Sequence, residues 1–281
     1  MNAILRSTAL KWILAVAVAM GSAVFQRVTG PTYPVRVRLS WAGEDVRARL
    51  TRTHSGPGDQ TIAVRAAGSE AAGDLLWRRY PTRDDFTRTP MQREGDLLVG
   101  RLPHQPPAGK LEYWVELQKG TDRLRLPASG SVVTRFKGAV PLPVLILHVV
   151  VIFAAMIWSN RAGLEGIAAV TGGSAAARGS PKRRASLARL TWIAFGLLVL
   201  GGMILGPVIQ KYAFGAFWTG VPFGWDLTDN KTLISFLAWL AAAISILRST
   251  RPHRWVIAAA IVTLIIFLIP HSLLGSELKY E

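Results

Sequence analysis

A chain of 281 residues that is half apolar, with a mean hydropathy of +0.29 and 33 Lys and Arg, needs separate regions for its apolar and its charged residues. The net charge of +16 raises nucleic acid as a partner, but the basic residues are scattered between an exported segment and the flanks of apolar runs. They read as topology signals, contacts to anionic lipid headgroups and solvated surface, with no nucleic acid expected. The absence of cysteine excludes disulfides, thiolate catalysis, iron–sulfur clusters and covalent haem attachment through CxxCH, so any cofactor must be held by His, carboxylates or contacts.

Residues 1–29 carry Arg6 and Lys11 ahead of an apolar run from Trp12 to Phe25, the pattern of a signal peptide or an uncleaved signal anchor. Gly21-Ser22-Ala23 is a passable cleavage site, but no strong cleavage pattern follows, which favours the anchor.

Across residues 30–139 the pattern changes to short alternating runs: VRVRLSW, VRARLTR, TIAVRA, DLLVGRL, LEYWVELQ and SVVTRF, with turns supplied by SGPGD, AAGSEAAGD, REGD, PPAGK and KGTD. This predicts an antiparallel β-sandwich, and PPAGKLEYWVELQKG resembles the late hairpin of immunoglobulin-like or fibronectin III-like modules. His54 and His104 fall in turn-like sequence, and no nearby Asp or Ser follows a nucleophile or metal spacing. A non-catalytic docking or sensing module is expected, with Arg78, Arg79 and Arg83 near Trp77 and Tyr80 as the patch for an acidic partner.

Residues 140–281 hold four further apolar windows, Val140–Ser159, Leu190–Ile209, Leu233–Leu247 and Trp255–Ile269. The overall prediction is an α+β membrane protein: an immunoglobulin-like β-sandwich and a four- to five-helix transmembrane bundle. The segment 160–189, which contains TGGSAAARGSPKRR, reads as a flexible basic loop, and RSTRPHR as a second short basic connection. Because short Lys/Arg-rich loops stay cytoplasmic, both face the cytoplasm. The β-domain, the loop Gln210–Lys231 and the tail His271–Glu281 then lie on the outer side, the periplasm if the membrane is a bacterial inner one. Gly201, Gly202 and Gly206 favour close helix packing.

The outward loop, FWTGVPFGWDLTDNKT, is richer in aromatics than a connector needs. His148 lies inside an apolar run, about 10 Å along a helix from its outer end, and His271 follows Pro270 at the outer end of the last span. Neutral imidazole is a common axial ligand of haem iron, and two from separate helices can clamp it from opposite faces. Trp218, Phe223 and Trp225 would form an apolar shelf for the porphyrin, and Lys211 or Lys231 would meet its propionates. Asp226 and Asp229 would hold an imidazole or loop N–H; capping the helix that starts near Asn230 accounts for them equally well.

FWTGVPFGWDLTDNKTLISFLAWLAAAISILRSTR resembles the tryptophan-rich WWD segment of the haem-handling membrane proteins of cytochrome c biogenesis, through Trp218, Trp225-Asp226, Lys231, Trp239-Leu240 and the basic stop that follows. The resemblance implies that outer histidines before and after the segment, here His148 and His271, are axial haem ligands. TGVPFG separates the two tryptophans of the loop, so the cluster is looser than the family's, and the family has more spans. Haem handling for cytochrome assembly or electron transfer is thus one expectation. Another is a non-catalytic accessory subunit of a respiratory or photosynthetic redox complex, its spans packed against partner proteins and lipid and its β-domain used for docking. Under that reading Trp218, Trp225, Tyr212 and Tyr280 are interfacial belt aromatics. A quinone or lipid in the same outer pocket is a third.

Overall fold

The computed structural model describes residues 7–66, 70–171, 180–270 and 278, and divides the chain into a β unit built on Pro31–Ala139 and a helical unit built on the N-terminal helix, Val140–Tyr212 and Ala216–Gly275. The architecture is mixed α+β.

The β unit contains β1 (Val35–Trp41), β2 (Glu44–Leu50), β3 (Thr53–Ser55), β4 (Gln60–Ala66), β5 (Ala72–Arg79), β6 (Thr87–Pro90), β7 (Gln92–Glu94), β8 (Leu97–Leu102), β9 (Lys110–Lys119), β10 (Asp122–Leu126) and β11 (Val132–Lys137). One sheet runs β1-β2-β4-β8-β7 and the other β3-β11-β9-β5-β6, with β10 also paired to β9. All the pairings are antiparallel except β3 on β11, a parallel departure from the fully antiparallel expectation. Alternation sends one face of each strand inward, and Val46, Leu50, Ile62 and Leu98 of the first sheet share a core with Leu75, Tyr113, Leu117 and Phe136 of the second. The buried Tyr113 hydroxyl donates to Thr51 O at 2.8 Å, so the ring carries no unpaired polar atom into that core. Strand β5, central to its sheet, falls outside the strand runs read from the sequence: AGDLLWRR starts with Ala, Gly and Asp and has adjacent buried leucines in place of strict alternation. The β1–β2 hairpin turns on Ala42 (φ 49°) and Gly43 (φ 79°), both in the left-handed region that a tight two-residue turn demands.

The helical unit contains α1 (Thr8–Thr29), α2 (Leu142–Thr171), α3 (Pro181–Phe214) and α4 (Leu227–Arg248), four helices long and apolar enough to cross a membrane, and the shorter apolar α5 (Pro252–Leu268). Segment 160–189 is not one flexible loop. Helix α2 continues to Thr171 and α3 begins at Pro181, with residues 172–179 outside the described set. Polar residues hid this continuation, and their reason is tertiary. Arg161 and Glu165 are buried, and Glu165 Oε2 accepts from Arg161 Nη1 at 2.8 Å and from Lys11 Nζ of α1 at 2.6 Å. Small residues set the helix spacing: a Cβ on Gly163 would lie 2.6 Å from Ala260 Cβ, and one on Gly202 would lie 2.8 Å from Thr232 Cγ2. Trp239, buried on α4, donates through Nε1 to Thr263 Oγ1 of α5 at 2.8 Å.

Candidate functional site

Three elements at one end of the helical unit position the groups singled out from the sequence: the start of α2, the widened turn in α3, and the loop that leads into α4. Within α3, Val199–Leu205 takes i→i+5 hydrogen bonds, a geometry that recurs at functional positions. The carbonyl of Gly201 accepts the N–H of Gly206 across that turn and offers its second lone pair to His148 Nδ1, 3.1 Å away. A carbonyl only accepts, so Nδ1 carries the proton and the neutral ring keeps its lone pair on Nε2. This is the tautomer in which a histidine can ligate a metal through Nε2 while a backbone carbonyl orients the ring. Gly201 packs closely on α2 here: a Cβ there would sit 3.1–3.3 Å from Val151 and Ile152, tight enough that these neighbours would have to shift. His148 itself is half-buried.

The loop ahead of α4 is held by carboxylates that the sequence left with two explanations. Asp226 caps α4, its Oδ1 accepting from the N–H groups of Thr228 at 2.8 Å and Asp229 at 3.2 Å. Asp229 is buried, and its Oδ2 accepts from the N–H of Thr219 (2.6 Å), the N–H of Gly220 (3.0 Å) and Gln210 Nε2 (2.9 Å). Asn230 Oδ1 takes the N–H of Val221 at 2.8 Å. The anion thus rests on neutral donors and on the positive end of α4, which favours a negative charge in the first turn. Two glycines allow the fold-back: a Cβ on Gly220 would lie 2.7 Å from Asp229 Cβ, and one on Gly224 2.5 Å from Thr219 O. Gln210, Thr219 and Asn230 were not singled out from the sequence; the Asp-x-x-Asp-Asn run at a helix start is the signal that points to them.

Lys231 is buried, and its ammonium donates to Ile269 O (2.9 Å) and Pro270 O (3.3 Å). Gln26 of α1 donates to Phe267 O and Ile269 O, both at 3.0 Å. These two side chains satisfy carbonyls left open at the end of α5, an obligation that is strict in an apolar surrounding. The ammonium points to the end of α5, away from the role of a propionate partner. Lys211 lies 5.5 Å from the centroid of Phe217. Trp218 donates through Nε1 to Val221 O at 3.1 Å, while Phe223 and Trp225 are 81% and 87% exposed at the tip of the loop. His271, with Ser272, Ser276, Glu277 and Tyr280 of the tail, lies outside the described residues. Among the described residues no group of three or more His, Asp or Glu side chains could hold a metal ion.

In the β unit the proposed patch of Arg78, Arg79 and Arg83 is largely internally neutralised. Arg78 donates to Glu112 and Arg79 to Asp84, whose carboxyl is held below its usual range by that bond. Arg83 is exposed. His54 and His104 each approach Gly58 O at 3.1 Å, as turn-forming groups.

Set beside known proteins, the chain matches no family model and no characterised sequence.

Proposed function

We propose that this is an integral membrane protein that binds haem through His148 near the outer membrane surface, in cytochrome assembly or electron transfer. The observation that carries the reading is the hydrogen bond from His148 Nδ1 to the Gly201 carbonyl, which leaves Nε2 as the free ligand atom. Of the residues first assembled around a porphyrin, His148 would hold the iron through Nε2, and the exposed Phe223 and Trp225 would cover an apolar face. Asp229 is committed to the loop and Lys231 to the end of α5, so of the two lysines read as propionate partners the proposal keeps Lys211. Bound haem would supply an iron centre for electron transfer or delivery, while the chain's own contribution is to fix the ring of His148. A second imidazole from His271 completes the proposal.

The proposed orientation puts the immunoglobulin-like sandwich and the aromatic loop on the periplasmic side of an inner membrane. Lys182, Arg183, Arg184, Arg248, Arg251 and Arg254 support it, because they gather at one end of the helical unit, where Arg184 Nη2 reaches Ser249 O at 3.2 Å. The same end holds the Lys11–Glu165–Arg161 cluster that ties α1 to α2, which supports the reading of α1 as a retained anchor.

A visible spectrum of protein purified from haem-replete membranes tests the reading. A Soret band that is lost in His148→Ala and in His271→Ala supports it; a colourless wild-type protein overturns it. A second reading, an accessory subunit of a membrane redox complex, is favoured by the exposure of Phe223 and Trp225, which suits an interfacial anchor or a protein contact. That reading keeps a colourless protein and is tested by co-purification of a partner that is lost when both aromatics are changed to Ser.

A further inference from the structure

The outer face of the first sheet carries an arrangement that runs against the usual rule for facing strands. Arg38 of β1 pairs in register with Arg47 of β2, and Arg47 pairs in turn with Arg65 of β4, so three arginines stand in one cross-strand row. Arg36 pairs with Arg49 in another row, and Arg101 of β8 pairs with Thr61. All six arginines are exposed, while the alternate residues Val46, Ala48, Ile62 and Val64 are buried in the core. Directly opposed like charges destabilise a sheet, and a face that only needed water would do as well with Thr.

The counter-charges are three against six arginines. Asp45 pairs with Arg47, Asp96 with Arg65 at 3.2 Å, and Glu94 of β7 stands opposite Leu97 at the edge of the same row. Arg36 and Arg49 face each other with no carboxylate in ion-pair contact among the described residues; Arg36 lies 5.6 Å from the ring centroid of Tyr33. The positive field is concentrated enough that the Asp45 carboxyl is held below its usual range, first by its bond from Arg47 and then by the charges of Arg47, Arg38 and Arg65.

We propose that this face is a docking surface for a carboxylate-rich protein. Every cation in the field is an arginine, the side chain that binds carboxylates through two parallel bonds and is enriched in protein interfaces where lysine is depleted. Within the field sit Leu97, directly opposite Arg65, and Val99, opposite Ala63, apolar side chains suited to the dry centre of such an interface. A lipid surface would be served by lysine and needs no fixed register. The proposal gives a chemistry to the docking role of the second reading above and stands independently of His148.

The test uses the full chain in nanodiscs of zwitterionic lipid, with a fluorescent oligoglutamate peptide as the probe and anisotropy as the readout at low and at physiological salt. Wild-type protein is expected to bind the peptide, more weakly as salt rises. The double variant R36T/R49T should bind on the order of tenfold more weakly, while R123T, on β10 of the other sheet, and H148A bind as wild type. The melting temperature of R36T/R49T should be unchanged or raised, because the change removes facing like charges. R38Q/R65Q, which keeps long polar side chains in the other row, repeats the comparison should the first variant fold poorly. The proposal is overturned by no peptide binding at low salt, by an equal loss in R123T, by a lowered melting temperature in both double variants, or by phosphatidylglycerol vesicles binding in a variant-sensitive way where the peptide does not. Because H148A removes a Soret band and leaves peptide binding intact, failure of one reading is separable from failure of the other.

Discussion

Replacing Glu165 with Gln tests how the helical unit is held together. Lys11 Nζ and Arg161 Nη1 converge on the same oxygen, Oε2, at 2.6 and 2.8 Å, and the three side chains are only 6%, 4% and 11% exposed for Lys11, Arg161 and Glu165. The substitution removes the single negative charge and leaves two buried cations facing each other. Breaking a buried pair by removing one partner costs about 3–5 kcal/mol, or roughly two to four powers of ten in the folded ratio. The lower end applies here, because the cluster lies toward a helix end where long side chains can reach the interface. Arg161 also lies 5.5 Å from the Trp12 ring, so displacing it disturbs the α1–α2 contact. Lys11→Met should cost less, about 1–3 kcal/mol, because Glu165 keeps Arg161 as its partner. The assay is reversible unfolding of the purified protein in mixed micelles, with protease sensitivity of α1 as a second readout. A Glu165→Gln protein within about 0.5 kcal/mol of wild type, the range of an ordinary surface change, would show that the cluster is not a structural tie, and the reasoning would fail.

Asp229→Asn keeps the shape of the loop anchor but replaces one acceptor oxygen or its charge, and should loosen Thr219–Gly224 by about 1–3 kcal/mol, read as faster proteolysis between Phe217 and Asp226. Ala42→Asn should raise the stability of the β unit by about 1 kcal/mol, seen as a higher melting temperature, since Asn tolerates the left-handed conformation that Ala42 occupies. Glu116 is held below its usual range, first by the indole N–H of Trp114 and then by Arg88. A depressed carboxyl contributes stability above its unfolded value, near 4.3, that is lost as the pH falls through the folded value. Acid titration of unfolding should therefore show a loss below about pH 4 that is smaller in Glu116→Gln. For orientation, the cysteine-free chain accepts single-cysteine mapping: Thr121→Cys should react with an impermeant thiol reagent from outside, and Thr250→Cys only after the membrane is opened.

Much of the fold was legible because its signals are local. Alternation in VRVRLSW, VRARLTR and TIAVRA names strands β1, β2 and β4, since a period of two puts one set of side chains in the core. Strand β5 escaped because the adjacent Leu75 and Leu76 are both buried, which breaks the period of two, and β10 because it is short and depends on β9 for its pairing. In the site, capping was one of two roles the sequence offered for Asp226 and Asp229 alike; Asp226 takes it, whereas the work of Asp229 depends on backbone groups nine and ten residues earlier that only the folded loop brings to it.

The sequence by itself determined which segments leave water and which alternate, because hydropathy and period are properties of consecutive residues. It also limited any cofactor to His and carboxylate ligands by lacking cysteine. Only the tertiary structure decided what the charged groups are for. Lys231 turned out to close the end of α5, and Glu165 to join α1 to α2. The arginines that looked scattered along three strands came into register as facing rows, and the proton of His148 was assigned by a carbonyl on another helix. Each of these depends on partners far apart in the chain, and the distance between them is fixed by packing, which composition and periodicity do not encode.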